Sequence, residues 1–132
     1  MSYEKLIGLS DVRESSVTAK KTARALKSGS LDVLATPEMI RLVEETAAEL
    51  VEKNLPTEFS SVGISLDVKH TAPTPVGMKF RAEVKIVSVD GRRIVLEVAA
   101  FDERGQIGNG VHERFIVDAK KFQLKADAKL NF

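Results

Sequence analysis

The dipeptide Asp90-Gly91 restricts the possible folds of this chain more than any other feature of its sequence. Aspartate followed by glycine favours a two-residue turn between antiparallel strands, because that turn requires positive φ angles. Before the turn, residues 78–89 alternate apolar and polar side chains. After it, residues 92–101 are apolar over most of their length, which is typical of a central strand covered on both faces. The sequence therefore predicts a long β-hairpin inside an antiparallel sheet.

Two further segments predict strands, one before the hairpin in the chain and one after it. Residues 61–71 alternate, and one face of that strand would carry Val62, Ile64, Leu66, Val68 and His70. The last strand covers roughly residues 107–117 and contains Gly108 and Gly110, which in a strand indicate a bulge or a close approach of another backbone. Nearer the N-terminus, residues 17–27 indicate a strand that runs into a helical turn.

A long amphipathic helix precedes these strands and begins at Thr36-Pro37. Threonine is a good N-cap, and proline is favoured at the first helical position, where its missing N–H costs nothing. The helix would run to about Lys53, because Pro56 follows. Its apolar stripe at helical spacing consists of Ile40, Val43, Ala47, Leu50 and Val51. One helix followed by four antiparallel strands predicts a single α+β domain that spans residues 1–132.

The composition excludes several classes of protein. The chain has 20 Lys and Arg against 19 Asp and Glu, and nucleic-acid binding usually requires a clear basic excess, so no nucleic-acid partner is predicted. The absence of cysteine removes disulfides, thiolate metal sites and cysteine nucleophiles, and it fits the reducing cytoplasm, where we expect the protein. No apolar run approaches the ~20 residues that span a bilayer, so no membrane partner is predicted.

Two ionisable side chains occupy positions where the pattern predicts apolar ones. Glu44 lies at the edge of the apolar stripe of the helix, and His70 lies on the apolar face of the strand in residues 61–71. Separately, they would be a carboxylate that reaches water and a hydrogen-bonded core histidine. A helix packed on the sheet would bring both toward one interior, where desolvation tunes pKa values for acid–base chemistry at neutral pH. The two residues are therefore candidates for a catalytic pair in one partly dry cleft.

The other polar features have simpler interpretations. Thr36 is explained as an N-cap, although its hydroxyl would lie two turns before Glu44, near the positive end of the helix. His112 and Arg114 share one face of the last strand, where an arginine is normally solvated or ion-paired but can also contact an anionic ligand. Two histidines without closely spaced acidic partners predict no metal site. The lysines of the C-terminal tail would form a solvated face or a phosphate-binding surface: Lys120, Lys121, Lys125 and Lys129.

Three stretches of the sequence resemble the fluoroacetyl-CoA thioesterase family of hot-dog proteins. They are SVGISLDVKHTAPTPVGMKFRAEV, SVDGRRIVLEVAAFDE and IGNGVHERFIVDAKKF, and the helical segment ATPEMIRLVEETA fits as well. The resemblance covers about residues 31–122 and implies a hot-dog fold, in which an antiparallel sheet wraps around one long central helix. It also implies a homodimer with active sites at the subunit interface.

Matched residue by residue, the resemblance implies catalytic roles for Thr36, Glu44 and His70. Glu44 would be the general base on water or the nucleophile. Thr36 would orient the thioester or the water, or act as a nucleophile activated by Glu44, and His70 would shuttle a proton. The resemblance further implies a substrate-binding amide at Gly63 and an arginine near the substrate at Arg114. Coenzyme A is part of the acyl-CoA substrate, so no separate cofactor is implied.

The expected activity is hydrolysis of a short or small acyl-CoA thioester. In the fluoroacetyl-selective enzyme of this family, aromatic residues around the helix start form a lid, whereas residues 23–40 of this chain contain no aromatic side chain. The sequence therefore argues against selectivity for fluoroacetyl-CoA. Two alternatives stay open: an enoyl-CoA hydratase on the same fold, and a non-catalytic acyl-CoA-binding module.

Overall fold

A computed structural model describes residues 2–131 and shows a five-stranded antiparallel sheet packed against one long helix. The strands are β1 (Ser10–Ser16), β2 (Phe59–His70), β3 (Lys79–Asp90), β4 (Arg93–Asp102) and β5 (Gly105–Asp118). The helices are α1 (Ala23–Leu26), α2 (Thr36–Glu52) and α3 (Ala119–Asp127), and short 3-10 helices occupy Glu4–Leu6, Ala19–Lys21 and Ala128–Leu130. The predicted α+β architecture and its central hairpin are confirmed.

The sheet has the strand order β1-β3-β4-β5-β2, so β1 and β2 are its two edges. One face packs on α2, and the core between them is apolar. The inward residues of β3 and β4 are Phe80, Ala82, Val84, Ile86, Ile94, Leu96, Val98 and Ala100, all buried. On the opposite face of β4, Val95, Ala99 and Phe101 are only half-buried. The expectation of a strand covered on both faces is therefore wrong for the single chain.

Helix α2 starts at Thr36 itself. Ala35 occupies the N-cap position, and no side chain caps the helix. The predicted N-cap role of Thr36 is therefore wrong, and Pro37 lies in the first turn, where it needs no N–H partner. The helix ends at Glu52, one residue before the expected end, since it leads into a turn before Pro56. Its buried stripe is Met39, Leu42, Val43, Thr46, Ala47, Leu50 and Val51.

A β-bulge in β2 changes which residues of this strand face α2. The pairing with β5 shifts between Gly63 and Ser65, so Ile64 is the extra residue. Before the bulge Ser61 is buried against the core, whereas after the bulge the other set of alternate residues, up to His70, faces inward. The predicted apolar face is therefore correct only after the bulge, because one inserted residue reverses the alternation.

Two glycines of β5 let β2 approach closely, as predicted. A Cβ on Gly108 would lie 2.6 Å from the carbonyl oxygen of Lys69, and a Cβ on Gly110 would overlap the backbone of Asp67. Gly108 is the residue that pairs with His70. The absence of a side chain there lets the end of β2 settle on β5 and so positions the imidazole.

The structure corrects the N-terminal segment. Residues 17–27 form a short 3-10 helix and the short helix α1 rather than a strand, and the strand lies earlier, as β1. Exposed and half-exposed residues alternate along β1, so neither of its faces shows as an apolar pattern in the sequence. The connection from α1 to α2 is fastened by an isolated bridge between Thr22 and Leu34.

Candidate active site

Thr36 and His70 form a hydrogen-bonded pair at the N-terminal end of α2. The distance between Thr36 Oγ1 and His70 Nδ1 is 2.8 Å. The two side chains meet because Thr36 is the first residue of α2 and His70 is the last residue of β2. They lie on a surface cleft of about 300 Å³ whose other walls are mostly small or apolar, among them Ala23, Ser28, Val33, Leu34, Ala72 and Pro73.

Burial lowers the pKa of His70 below its ordinary value, and the backbone of Ala72 offsets this effect only in part. The imidazole is therefore neutral at neutral pH and can accept at one ring nitrogen while it donates at the other. When the Thr36 hydroxyl donates to Nδ1, the ring proton is on Nε2, which is buried and has no hydrogen-bond partner among residues 2–131. That N–H is then a buried donor without a hydrogen-bond acceptor in the described part of the chain.

Glu44 belongs to a second polar cluster, two turns farther along α2. Its Oε2 lies 3.7 Å from Nη1 of Arg114, and the Glu44 side chain is 41% exposed. Gly63 on β2 faces the same carboxylate, since a Cβ at this position would lie 2.7 Å from Glu44 Oε2. Glycine at position 63 therefore leaves the room in which the carboxylate sits beside the β2 backbone.

A buried hydrogen-bond network holds Arg114 in place. Its Nε donates to Oγ of Ser61 at 2.8 Å, and its Nη2 donates to the Ser61 carbonyl oxygen at 3.0 Å. Its Nη1 donates to Nε2 of His112 at 3.1 Å, and His112 Nδ1 donates to the carbonyl oxygen of Ser65 at 2.9 Å. His112 is fully buried and Arg114 is 6% exposed. The guanidinium is thus a fixed positive charge with one nitrogen toward Glu44.

The protonation of this network follows from its burial. Burial lowers the pKa of His112, the carbonyl of Ser65 raises it, and the charge of Arg114 lowers it again, so the pKa lies below its ordinary value. Burial also lowers the pKa of Arg114, while Glu44 raises it. Arginine stays charged in proteins in spite of such shifts. The neutral His112 therefore accepts from Arg114 and donates to the backbone.

Sequence reasoning found part of this second cluster. The sequence shows that His112 and Arg114 share one face of the last strand, but it does not show that both side chains are buried. The alternation of residues 61–71 places Ser61 on the face opposite Val62 and His70, and the bulge that turns Ser61 inward leaves no mark in that alternation. The signal that could have indicated the network is the shared face of His112 and Arg114, which continues to the buried Ile116.

The structure places the predicted site residues in two groups. Thr36 contacts His70, whereas Glu44 lies with Gly63 and Arg114. Eight residues of α-helix correspond to ~12 Å between the start of α2 and Glu44, and the cleft of the first pair does not include Glu44 among its lining residues. The predicted common cleft of Glu44 and His70 is therefore not formed by the single chain.

A third buried polar contact has a structural role. The Thr74 hydroxyl donates to Asp102 Oδ2 at 2.8 Å, and the backbone N–H groups of Arg104 and Gly105 donate to Asp102 Oδ1. Burial raises the pKa of Asp102, but these hydrogen bonds outweigh it and hold the pKa below its usual value. The contact ties the loop after β2 to the β4–β5 turn.

Residues 2–131 contain neither a metal-binding cluster nor a helix suited to span a membrane. No group of three or more His, Asp or Glu residues in this part of the chain is arranged to hold a metal ion. None of the helices described there is long and apolar enough to cross a membrane.

Known structures define the class of protein. A hot-dog-like protein from Thermanaerovibrio acidaminovorans has a TM-score of 0.89 at 24% identity, with 98% of this chain and 97% of that chain covered. A thioesterase superfamily member from Thermus thermophilus has a TM-score of 0.84 at 27% identity, with 95% of this chain and 93% of that chain covered. The chain has the hot-dog fold, with α2 as its central helix, as the sequence resemblance implied.

The family follows from the sequence comparisons. The model of the family described as fluoroacetyl-CoA-specific thioesterase matches residues 17–120. The fluoroacetyl-CoA thioesterase of Streptantibioticus cattleyicolor is 35% identical over 98 residues, which is 74% of this chain and 70% of that protein. A solved structure of the fluoroacetyl-CoA thioesterase FlK has a TM-score of 0.87 at 31% identity, with 93% of this chain and 96% of that chain covered. The chain therefore belongs to this family of acyl-CoA thioesterases.

Proposed function

We propose that this protein hydrolyses short acyl-CoA thioesters without a strong preference for fluoroacetyl-CoA. The observation that carries the proposal is the hydrogen-bonded pair of Thr36 and His70 on a cleft of about 300 Å³. Family membership supplies the reaction class. The small and apolar walls of the cleft fit a small acyl group better than a long acyl chain.

The Thr36–His70 pair is suited to orient the thioester and to protonate its leaving group. The Thr36 hydroxyl lies at the positive end of α2, where a polarised carbonyl oxygen is stabilised. The neutral His70 can pass a proton through its ring to the sulfur atom that departs from the carbonyl carbon. The pair would thus act on the oxygen and sulfur of the thioester.

Glu44 is assigned as the group that starts the reaction. As a base it takes a proton from water, the water oxygen bonds to the carbonyl carbon, the C–S bond breaks, and the thiolate of CoA receives a proton. As a nucleophile its carboxylate oxygen would instead bond to the carbonyl carbon, the C–S bond would break with release of CoA as the protonated thiol, and water would then open the resulting anhydride. A single turnover in oxygen-18 water tests for the anhydride, because water that opens it at the Glu44 carbonyl carbon leaves label in the Glu44 carboxylate, whereas the base route puts label only in the released acid.

Arg114 and Gly63 are proposed to serve Glu44 and the reacting carbonyl. The nitrogens of Arg114 contact Ser61, His112 and Glu44, so we assign Arg114 to holding the carboxylate in place. The bulge after Gly63 interrupts the strand pairing beside Glu44, and bulges leave backbone groups unpaired. We assign the Gly63 N–H to the oxyanion that forms on the carbonyl carbon.

A homodimer would complete the site. β2 is an edge strand whose exposed side chains include Ile64 and Leu66, and an unpaired edge of this kind favours pairing with another strand. Antiparallel pairing of two β2 strands centred between Leu66 and Asp67 would reverse one chain relative to the other. His70 of one subunit would then lie opposite Gly63 of the other, which would join the Thr36–His70 pair to Glu44 across the interface.

The expected selectivity follows from the cleft wall. The segment that passes the cleft contributes Ala23, Ser28 and Val33, and residues 23–40 contain no aromatic ring. A hundredfold preference for one acyl group corresponds to ~2.7 kcal/mol of differential transition-state stabilisation, which requires a dedicated pocket element. No such element is visible in this wall, so acetyl-CoA and fluoroacetyl-CoA are expected to be cleaved at similar rates.

Thiol release from a panel of acyl-CoA thioesters tests the proposal. Acetyl-, fluoroacetyl-, propionyl- and butyryl-CoA are expected to release CoA, with acetyl and fluoroacetyl within about tenfold of each other in kcat/KM. Longer acyl chains are expected to react more slowly. Binding of all the thioesters without thiol release would indicate a non-catalytic module. Loss of enoyl absorbance without thiol release would indicate a hydratase.

A further inference from the structure

A basic and aromatic cleft lies at the end of β5, and the reaction described above does not use it. The cleft has a volume of about 220 Å³ and lies between the β3–β4 turn and α3. Three cationic side chains line it, Arg92, Lys121 and Lys125. The rings of Phe115 and Phe122 also line it, and they are 38% and 43% exposed. We name it the α3 cleft.

The cations of the α3 cleft are available to a ligand. None of the three takes part in an ion pair within residues 2–131. The guanidinium of Arg92 lies 5.9 Å from the ring centroid of Phe59, a contact that orients it. The one acidic wall residue, Asp118, caps α3 by accepting a hydrogen bond from the backbone N–H of Lys121. The α3 cleft therefore keeps a net positive charge.

We infer that the α3 cleft binds the nucleotide end of coenzyme A, with its phosphates on the cations and its adenine on an aromatic ring. Lysine and arginine are the side chains that best neutralise phosphates, and arginine does so with two parallel hydrogen bonds. A purine stacks on exposed aromatic rings through its flat face, so stacking does not depend on the hydrogen-bonding groups at its edges. This inference rests on the proposed function, because that function makes a CoA thioester the substrate.

The α3 cleft is close to the second polar cluster along β5, although the side chains of Arg114 and Phe115 lie on opposite faces of that strand. Phe115 follows Arg114 directly in β5, and the N–H of Ile116 donates to the carbonyl oxygen of Arg92 at 2.9 Å, which fastens the β3–β4 turn at this end of the sheet. In the proposed dimer, residues 59–62 of β2 would extend beyond the end of the partner strand at His70 of the partner subunit. The pantetheine arm would pass this free edge between the thioester and the α3 cleft.

An anionic membrane is the competing occupant, because α3 exposes Leu124 and the 3-10 helix that follows it exposes Leu130. A basic amphipathic helix of this kind is typical of membrane-surface binding. The two leucines do not line the α3 cleft, whereas Arg92, which comes from a different element, does. Convergence of cations from two elements on one small volume favours a compact polyanion over a flat lipid surface.

The double variant Lys121→Gln/Lys125→Gln tests the inference through the choice of substrate. Acetyl-CoA and acetyl-pantetheine share the thioester but differ in the nucleotide. The double variant is expected to raise KM for acetyl-CoA about tenfold and to reduce the advantage of acetyl-CoA over acetyl-pantetheine in kcat/KM by the same factor. Lys120→Gln/Lys129→Gln removes the same charge from the C-terminal segment outside the cleft, and it is the matched control. An equal loss in both variants, or an unchanged ratio, would overturn the inference.

Direct binding separates this inference from the proposed function. Adenosine 3′,5′-bisphosphate, the nucleotide fragment of CoA, is expected to bind the wild-type protein in calorimetry, to bind the control equally and to bind the double variant at least tenfold more weakly. This measurement needs no turnover, so binding without thiol release would support the α3 cleft while the proposed function fails. Thiol release without bisphosphate binding would overturn the inference about the α3 cleft and leave the proposed function intact. A second result would also overturn the inference. In it, the wild-type protein sediments with phosphatidylserine–phosphatidylcholine vesicles, the double variant does not, and the bisphosphate binds to neither protein.

Discussion

At the scale of single residues, the position of the Glu44 carboxylate depends on partners that are more buried than the carboxylate itself. Arg114 is held by Ser61 and His112, and its remaining contact is with Glu44. A half-exposed carboxylate next to a mobile cation would sample many orientations. Next to a cation fixed by three hydrogen bonds, the carboxylate samples few orientations. Catalysis requires a reacting group that is held in position in this way.

Glu44→Gln tests the catalytic assignment directly. The amide keeps the shape of the side chain but removes its basicity, so turnover is expected to fall by about 10²-fold or more, while the thermal midpoint stays close to that of the wild type. Thiol release and thermal unfolding measure the two effects. Glu45→Gln is the matched control, because Glu45 is the next residue on α2 and pairs with Arg13 on the surface. Cleavage near the wild-type rate by a folded Glu44→Gln protein would exclude the assignment and favour a binding module.

Gly63→Ala tests whether the space beside Glu44 matters. The added Cβ would lie 2.7 Å from Glu44 Oε2 and 3.2 Å from His112 Cε1, and the carboxylate is the part that can move. We therefore expect a small change in stability and a fall in turnover of roughly 10- to 100-fold. Combining it with Glu44→Gln should cost little more than Glu44→Gln alone, because both changes act on the same group. Fully additive losses would show that Gly63 acts independently of Glu44.

At the scale of elements, β2 connects the parts of the site. Its last residue pairs with Thr36, its bulge faces Glu44, and its outer edge has no partner strand within the chain. The bulge is the reason why Ser61 and Gly63 point toward α2 while the later residues keep the predicted face. A strand with these features at an edge favours a dimer whose active sites lie at the junction.

Ile64→Lys is expected to separate the proposed dimer. Ile64 is 50% exposed at the bulge of β2, and a lysine on an edge strand disfavours strand pairing. The variant should shift toward monomer in light scattering at micromolar concentration. Its turnover should fall at least tenfold, because the Thr36–His70 pair of one subunit is then separated from Glu44 of the other. Val12→Lys, at a residue that is 55% exposed on the opposite edge β1, should change neither property. A wild-type protein that is an active monomer would contradict the prediction.

At the scale of the whole molecule, the buried histidines make stability depend on pH. The pKa values of His70 and His112 in the folded chain lie below the ordinary value of 6.5. Between the folded and unfolded pKa values, the unfolded chain binds a proton that the folded chain does not. The free energy of unfolding therefore falls as pH falls from 6.5 toward the folded pKa, and it is constant with respect to these groups above 6.5.

Denaturant unfolding at pH 5 to 7.5 measures this dependence. We expect the free energy of unfolding to fall with decreasing pH by at most ~1.4 kcal/mol per pH unit for the fully buried His112. His112→Gln should remove that share of the slope, although it lowers stability at all pH values because Arg114 loses a partner. Asp102 titrates separately: its lowered pKa gives stability that is lost only below its ordinary value of 3.8. An equal slope in the wild type and His112→Gln would refute the role of His112.

Much of the fold could be predicted from the sequence, because it depends on local chemistry. The Asp90-Gly91 turn, the alternation of β3, and the proline-initiated helix α2 each act over a few residues, so periodicity and turn preferences identify them. Strand β1 has no such local signal. Its pairing with β3 makes it a strand, and no apolar face of its own indicates this.

The same distinction between local chemistry and pairing of distant segments applies to the candidate site. The pattern of the sequence indicates Glu44 and His70 as polar groups in apolar positions, and the family resemblance adds Thr36, Gly63 and Arg114. The hydrogen bond of Thr36 to His70 and the hydrogen bonds of Arg114 to Ser61 join residues that are far apart in the chain, and they are visible only once the chain is folded. The physical reason is that strand register and the bulge in β2 arise from pairing between distant segments, and one inserted residue reverses every side chain that follows it.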